Sequence, residues 1–214
     1  KVNEELQQLY DIEGSDKMQI LKMLTRLRQL CLEPRLVYDN IDQPSSKLKA
    51  CMELIKTMQE NKQKVLLFSS FTSALDLIAE ECQKAGITYY MLTGSTNKEE
   101  RRELVSRFQK DDTTLFLISL KAGGTGLNLT SAENVIHYDP WWNVSAQNQA
   151  TDRAYRIGQK SNVQVFNLVM KDSVEEKIIE MQKRKKELAD MFVENNSGGL
   201  SQMSKEDILS LFTM

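Results

Sequence analysis

The chain has 214 residues, a formal net charge of −2 and 27% charged residues. This profile is typical of an ordinary globular protein and argues against a uniformly basic nucleic-acid binder, although it allows a local basic face. No apolar run reaches the ~18 residues of a membrane-spanning helix, so we expect no membrane partner. The chain opens on a lysine inside a polar helical pattern and shows no signal peptide, which indicates a fragment of a longer protein.

The cysteines and the single histidine exclude several kinds of site. Cys31, Cys51 and Cys82 are scattered without a C-x-x-C pair, which argues against a zinc site or disulfide framework and fits a reducing compartment. His137 lies in an apolar run and is interpreted as a strand residue. Because no serine or cysteine elbow accompanies it, we expect neither a metal site nor a Ser/His/Asp triad.

The N-terminal residues 1–46 are predicted to form a helical extension and a linker. Apolar residues indicate helices over 4–13 and 16–32, and Pro34 stops the second. In that second helix, Arg26 and Arg28 fall off the apolar stripe. Turn-forming residues over 35–46 predict a loop, so we place a domain boundary there.

Residues 47–172 show strands alternating with helices. Ser45 or Ser46 is expected to cap the first helix, Gly86 to end the second, and Thr96 with Glu99 to form a capping box for the third. This alternation predicts an α/β fold with a central parallel sheet, whose strand C-termini share one ligand-binding edge. The predicted helices are 47–60, 73–85, 97–110 and 144–157, and the predicted strands are 64–69, 87–92, 114–119, 134–138 and 163–170.

Residues 173–214 are predicted to form C-terminal helices. A second capping box, Ser173 with Glu176, opens a helix reaching about residue 193, and its basic run 183–186 is interpreted as a solvated face. A flexible linker over 195–199 then precedes a last short helix, 205–212.

A glycine-rich segment, Lys121-Ala-Gly123-Gly124-Thr125-Gly126, follows one predicted strand. Glycines let the backbone approach a phosphate, and exposed N–H groups bind anions, although a turn that requires positive φ is the alternative. The segment is neither a Walker A loop nor G-x-G-x-x-G, and no acidic motif for magnesium occurs in the chain. The chain therefore lacks the parts that hold nucleotide phosphates and Mg²⁺.

Arg153 and Arg156 lie three residues apart in the segment 149–159. On a helix this spacing puts both guanidiniums on one face, an arrangement that suits a polyphosphate. A solvated helix face is the alternative interpretation. The adjacent Trp141 and Trp142 follow a predicted strand, and we expect one to be buried and the other presented, where it could stack on a base.

These segments, taken in order, resemble the C-terminal helicase lobe of the Swi/Snf family of superfamily 2 ATPases. Two sets of segments carry the resemblance, which covers roughly residues 20–192. The first resembles helicase motifs V and VI and consists of Ile118–Leu129, Asp139–Asn143 and Gln149–Gln159. The second resembles motif IV, the segment after it and the helical region before the lobe, and consists of Val65–Phe71, Leu92–Gly94 and Leu24–Cys31 with Pro34. The tail Ile208–Phe212 is similar to bacterial members.

The resemblance implies a RecA-like second motor lobe that works with a first lobe absent from this sequence. It implies arginine fingers at Arg153 and Arg156, with ATP-binding residues Gln149, Asp152, Gly124 and Gly126. The implied DNA contacts are Ser69, Ser70, Thr93, Gly94, Ser119, Lys121, Gly123, Thr125 and Trp142. ATP with Mg²⁺ would be held mainly by the first lobe. Tyr155 and Val144 depart from the family pattern, in which His and Pro are common, but neither departure removes a required charge.

We therefore expect the second lobe of an ATP-dependent double-stranded DNA translocase, inactive in ATP hydrolysis without its first lobe. One alternative is a degenerate lobe that serves as a DNA-binding or protein-docking module. The other is a dinucleotide-binding oxidoreductase domain, which the absence of a G-x-G-x-x-G motif argues against. RNA polymerase is one candidate among DNA-bound partner complexes. The implied location is cytoplasmic and nucleoid-associated in a bacterium, or nuclear in a eukaryote.

Overall fold

The computed structural model describes residues 17–123, 127–141, 143–154 and 162–194. The predicted helices 4–13 and 205–212 and the predicted linker 195–199 lie outside the described residues. Within them, helices and strands alternate along the chain as predicted. The helices are α1 Lys17–Leu32, α2 Ser46–Glu60, α3 Thr72–Lys84, α4 Lys98–Lys110, α5 Leu120–Gly123, α6 Val144–Thr151 and α7 Val174–Glu194, with a 3₁₀ turn at Pro34–Leu36. The strands are β1 Val65–Ser69, β2 Tyr89–Leu92, β3 Leu115–Ser119, β4 Asn134–His137 and β5 Gln164–Asn167.

The five strands form one parallel sheet in the order β2-β3-β1-β4-β5. The central strand β1 and its neighbour β3 are buried at every position, as their unbroken apolar sequences predict for a sheet covered on both faces. Edge strand β5 is largely exposed. The predicted α/β fold with a central parallel sheet is therefore confirmed.

Helices cover both faces of the sheet, and the alternation of side chains in β1 decides which residues each layer receives. Val65 and Leu67 face α2 and α3, whereas Leu66 and Phe68 face the layer that contains α4, α5 and α6. Leu32 of α1 joins the first layer. The predicted boundaries at residues 46/47 and 172/173 stay predictions, and hydrogen bonds cross both of them, for example from Tyr138 to Leu32 and from Lys47 to Glu175.

Of the helix caps predicted for α2 and α4, one is confirmed and one is wrong. Ser45 caps α2 by accepting a hydrogen bond from the N–H of Leu48 at 3.1 Å, as expected. The Thr96 capping box is wrong, because Asn97 caps α4 and the Thr96 hydroxyl instead accepts from the N–H of Thr93 at 3.1 Å. Asn97 Oδ1 accepts from the N–H groups of two residues of the first turn, Glu99 and Glu100, so a cap one position later satisfies two of the free donors of that turn.

Ser173 also departs from the predicted box. Its hydroxyl accepts from the N–H of Glu175 at 3.2 Å, while the Glu176 carboxylate accepts from the N–H of Asp172 at 2.9 Å rather than from Ser173 itself. Asp172 has φ 53, in the left-handed region, and with this turn its own N–H, rather than that of Ser173, meets the Glu176 carboxylate. The acidic first turn of α7 still complements the helix dipole.

Several elements differ in type or length from their predictions. The glycine-rich segment begins as the short helix α5, up to Gly123, rather than as a loop. The predicted helix 144–157 ends at Thr151 and continues as turns through residue 154. Strands β2 and β5 are shorter than predicted because sheet pairing, and not the apolar run, sets their ends.

Gly86 allows the cost of a left-handed backbone to be measured, because it has φ +68 and a Cβ placed there would meet open space. We expect Gly86→Ala to destabilise the chain by about 1 kcal/mol, because a left-handed backbone costs an L-residue roughly that much. Gly94→Ala is the matched control, since Gly94 also faces open space but is not at positive φ, and it should change stability by less than about 0.5 kcal/mol. Urea unfolding measures both, and equal effects would contradict the backbone explanation.

Candidate functional site

The sheet has a topological switch point between β1 and β4. The chain leaves β1 through α3 towards β2 on one side and leaves β4 through α6 towards β5 on the other, so the two connections diverge. In open α/β sheets the crevice at the strand C-termini of such a point is the usual ligand site. Here Ser69 and Ser70 end one wall of the crevice, and Asp139 ends the other.

The Asp139 carboxylate joins the two walls. Its Oδ1 accepts hydrogen bonds from the Ser69 hydroxyl at 2.6 Å and from the Ser70 N–H at 3.0 Å. Its Oδ2 accepts from the Ser70 hydroxyl and from Arg28 Nη2 at 3.0 Å. Asp139 is 2% exposed, so these donors and the guanidinium supply what water would otherwise provide.

Arg28 reaches this crevice from α1. Its Nη2 also donates to the Ser70 hydroxyl at 2.8 Å and to the Pro140 carbonyl at 3.4 Å. The guanidinium carbon lies 4.8 Å from the ring centroid of Phe71 and 5.6 Å from that of Trp141. Sequence analysis gave Arg28 no role, because its partners are more than 40 residues away and nothing local signals them.

The segment after β4 is held from two further helices. The N–H of Trp141 donates to Gln147 Oε1 of α6 at 3.2 Å, and the Trp141 carbonyl accepts from Gln182 of α7. Gln147 also donates to Asn167 Oδ1 of β5 at 3.0 Å. The Trp141 side chain is partly buried and packs against the second core layer, while the predicted contrast with Trp142, which lies outside the described residues, stays a prediction.

The ends of β2 and β3 present the remaining predicted edge residues. Thr93 is partly exposed and its hydroxyl bonds with that of Ser95 at 2.8 Å, while Gly94 is exposed. Lys121 is exposed, whereas Ser119 is 4% exposed and its Oγ accepts from the N–H of Ala122. A Cβ on Gly123 would lie 3.0 Å from Phe68 Cε1, so this glycine is required for close packing of α5 on β1.

A basic groove of about 760 Å³ runs along α4 beside this edge, and the sequence analysis did not predict it. Its walls carry three cationic side chains at helical spacing on α4, Lys98, Arg101 and Arg102. They also include Asn128, which lies two positions after the glycine-rich segment. Arg101 Nη1 donates to the Ala122 carbonyl at 3.1 Å, which ties α4 to α5. Spacing of cations along α4 was the signal that could have revealed the groove.

The predicted nucleotide residues lie around the end of α6. Gln149 and Asp152 are exposed, whereas Arg153 is 7% exposed and its carbonyl accepts from the N–H of Leu129 at 3.0 Å. This bond places the α6 turn beside the segment that follows the glycine-rich stretch. The other predicted site residues, Gly124, Thr125, Gly126, Trp142 and Arg156, lie outside the described residues.

His137 lies at the end of β4 and is buried, as expected for a strand residue. Its ring stacks on Phe68 with centroids 5.7 Å apart, and its Nε2 bonds with the Thr151 hydroxyl at 2.9 Å. A cavity of about 120 Å³ adjoins it and is also lined by Gln147 and Gln182. Burial lowers the pKa of His137 to about 4, so the ring is neutral at physiological pH.

Among the described residues, no group of three or more His, Cys, Asp or Glu side chains is placed to hold a metal ion. No helix within those same ranges is long and apolar enough to cross a membrane.

A model of the helicase conserved C-terminal domain family matches residues 46–158, just over half of the chain. The chain belongs to this family. The matched segment runs from α2 to the α6 turn and includes every predicted site residue.

Relatives extend the likeness beyond the family segment. A protein of Mycoplasma pneumoniae named as an ATP-dependent helicase is 36% identical over 97% of this chain. The putative ATP-dependent helicase/translocase YwqA of Bacillus subtilis is 38% identical over 92%. A mouse SWI/SNF-related matrix-associated actin-dependent regulator of chromatin, subfamily A member 1, is 35% identical over 92%. The chain spans about a fifth of the length of these relatives, 20%, 22% and 20% respectively.

Solved structures agree with the sequence relatives. The chain is similar to the Sulfolobus solfataricus SWI2/SNF2 ATPase core domain, with a TM-score of 0.74, 32% identity, 98% of this chain and 44% of that one. It is also similar to that ATPase core in complex with dsDNA, with a TM-score of 0.73, 30% identity, 98% of this chain and 45% of that one. The predicted resemblance to Swi/Snf helicase lobes and the RecA-like fold are confirmed.

The histidine gives a pH test, since it is the single one in the chain. Its folded pKa of about 4 lies below the ordinary value near 6.5, so the unfolded chain binds more protons between these values and stability should fall as pH drops through that window. We expect His137→Gln to flatten this pH dependence in urea unfolding between about pH 7 and pH 5. An imidazole NMR resonance that titrates near 6.5 in the folded wild type would contradict the burial effect.

Proposed function

We propose that this chain is the second motor lobe of an ATP-dependent double-stranded DNA translocase of the Swi/Snf type. The observation that carries the proposal is the arrangement of the neighbouring strands β2, β3 and β1. They end side by side in exposed Gly94, exposed Lys121 and partly exposed Ser70. The family membership and the likeness to an ATPase core solved with dsDNA support it.

On the DNA side, contacts to the phosphate backbone suit this edge. Backbone N–H groups near Gly94, the Lys121 ammonium and the cations of the α4 groove are all donors that phosphate oxygens accept. Such contacts would give binding with little sequence preference and a strong dependence on salt. Ser69 contributes differently, because its hydroxyl is fully buried and donates to Asp139, so we assign it the positioning of the loop after β1.

On the nucleotide side, Arg153 and Arg156 are the proposed arginine fingers, with Gln149 and Asp152 as their neighbours around the nucleotide. Their guanidiniums would stabilise charge on the transferring γ-phosphoryl group when the two lobes close. The described residues contain no acidic cluster that fits Mg²⁺, so we assign the metal ligands and the phosphate cradle to a first lobe. By this assignment, the chain alone has half of an ATP site.

The arginine fingers give the sharpest test. In a protein that carries both lobes, Arg153→Ala and Arg156→Ala should each lower DNA-stimulated ATP turnover by roughly 10³-fold or more, the scale of a lost arginine finger. Arg184→Ala is the matched control, because Arg184 is exposed on α7 and pairs only with Glu180 among the contacts described. Turnover is measured by phosphate release with and without duplex DNA.

The same assay separates the motor from a degenerate docking module. A motor lobe requires that DNA stimulates the two-lobed protein and that the 214-residue chain alone shows no appreciable turnover. Full activity in Arg156→Ala, or robust hydrolysis by the chain alone, would contradict the proposal. Binding of DNA without any stimulated turnover would favour the docking module.

Lys121 tests the DNA edge. We expect Lys121→Ala to weaken duplex binding and to reduce the slope of log K against log salt by about 0.9, the value for one lost phosphate contact. Lys110→Ala is the matched control, because this exposed lysine ends α4 at the opposite edge of the sheet. Fluorescence anisotropy with labelled duplex DNA across a salt series measures both, and equal slopes for wild type and Lys121→Ala would remove this residue from the interface.

A further inference from the structure

We propose that Arg28 is a positioning residue that fixes the tryptophan loop, defined here as residues 139–141, for contact with nucleic acid. The contact with nucleic acid rests on the proposed function, whereas the fixing of the loop does not. Arg28 lies in α1, outside the segment 46–158 that matches the family model. No local pattern in the sequence marks it for such a role.

The geometry of the guanidinium carries the inference. One nitrogen, Nη2, contacts both walls of the switch-point crevice: the Ser70 hydroxyl at 2.8 Å, and Asp139 Oδ2 at 3.0 Å with the Pro140 carbonyl at 3.4 Å. Arg28 therefore joins the end of β1 to the first two residues of the tryptophan loop. A residue that served only as a counter-charge to Asp139 would not need the other two acceptors.

The aromatic contacts of the Arg28 guanidinium also position the side chain of Trp141. The guanidinium lies 4.8 Å from the Phe71 ring and 5.6 Å from the Trp141 ring, within the range of cation–π contact. A planar guanidinium can contact rings with its faces while it donates hydrogen bonds in its plane, and a lysine ammonium cannot. The side chain of Trp141 is thereby held from the α1 side.

The rest of the loop is anchored independently of Arg28. Gln147 of α6 and Gln182 of α7 bond the N–H and the carbonyl of Trp141. Removing the guanidinium should therefore leave the loop attached through this backbone while freeing the ring of Trp141. This predicts a loss of positioning that is distinct from a loss of folding.

Tryptophan fluorescence reports on this loop directly, because the chain has two tryptophans, of which Trp141 lies in the loop and Trp142 follows it in the sequence. In the 214-residue chain, we expect Arg28→Met to raise acrylamide quenching of the tryptophans relative to wild type. We also expect it to weaken duplex binding by about fivefold or more, the low end of what one lost aromatic contact to nucleic acid costs. Circular dichroism confirms that the variant is folded at the assay temperature.

Two variants separate positioning from charge and stability. Arg28→Lys keeps the charge beside Asp139 but lacks the planar group, so quenching and DNA affinity should stay near those of Arg28→Met. Lys47→Met breaks another buried ion pair, with Glu175 at 2.6 Å, that has no described bond to the tryptophan loop. It should lower stability while leaving quenching and DNA affinity unchanged.

The outcomes decide between the explanations. Full recovery by Arg28→Lys would overturn the positioning role and leave a simple counter-charge, and equal effects of Lys47→Met would attribute the changes to stability. Wild-type quenching in folded Arg28→Met would also overturn the inference. If quenching rises in Arg28→Met but the wild type does not bind duplex DNA, the fixing of the loop stands and the proposed function fails.

Discussion

The buried carboxylate of Asp139 is the constraint on which the arrangement of the sheet edge depends. A carboxylate removed from water is costly unless donors and an opposite charge surround it, and here two hydroxyls, one N–H and one guanidinium do so. These donors lie 69 to 111 residues away from Asp139 in the chain. Satisfying Asp139 therefore fixes the end of β1, the start of the tryptophan loop and the seating of α1 at once.

The flanking helices belong to the same physical unit as the family segment. One turn after Arg28, the carbonyl of Leu32 accepts hydrogen bonds from the Tyr138 hydroxyl at 3.0 Å and the Ser45 hydroxyl at 3.1 Å. Adjacent residues of the chain after β4, Tyr138 and Asp139, are thus bound by adjacent turns of α1. At the other end, Lys47 of α2 pairs with Glu175 of α7, which also accepts from the N–H of Met170. Polar contacts of this kind need matched geometry, so they fix the helices in one orientation more strictly than apolar packing does.

The fold was predictable because its signals are local. Unbroken apolar runs marked β1 and β3, the positive φ of Gly86 and the cap at Ser45 followed from residue type, and the strand–helix alternation required parallel pairing. The errors arose where neighbours compete for one role, as when Asn97 displaced Thr96 as the cap of α4. Long-range partners could not be predicted, because no local sequence pattern near Arg28 indicates a contact with Asp139. In the same way, no pattern near Ser69 indicates that its hydroxyl is buried. Five of the site residues drawn from the resemblance lie outside the described residues, and the roles of all of them stay predictions.

The filled crevice bears on where ligands can bind. The switch point is the usual ligand site of an open α/β sheet, yet here the β1/β4 crevice is occupied by the paired side chains of Arg28 and Asp139. A nucleotide phosphate placed there would have to displace a bonded guanidinium and approach a buried carboxylate, and both are unfavourable. We therefore expect ligands at the surfaces on either side. Towards β2 and β3, the exposed edge and the α4 groove offer cations and backbone N–H groups. Around the end of α6, Gln149, Asp152 and Arg153 lie beside the segment that follows the glycine-rich stretch. A sheet that fills its own binding crevice is suited to complete a site built on another domain, which is the role we propose for this chain as a second lobe.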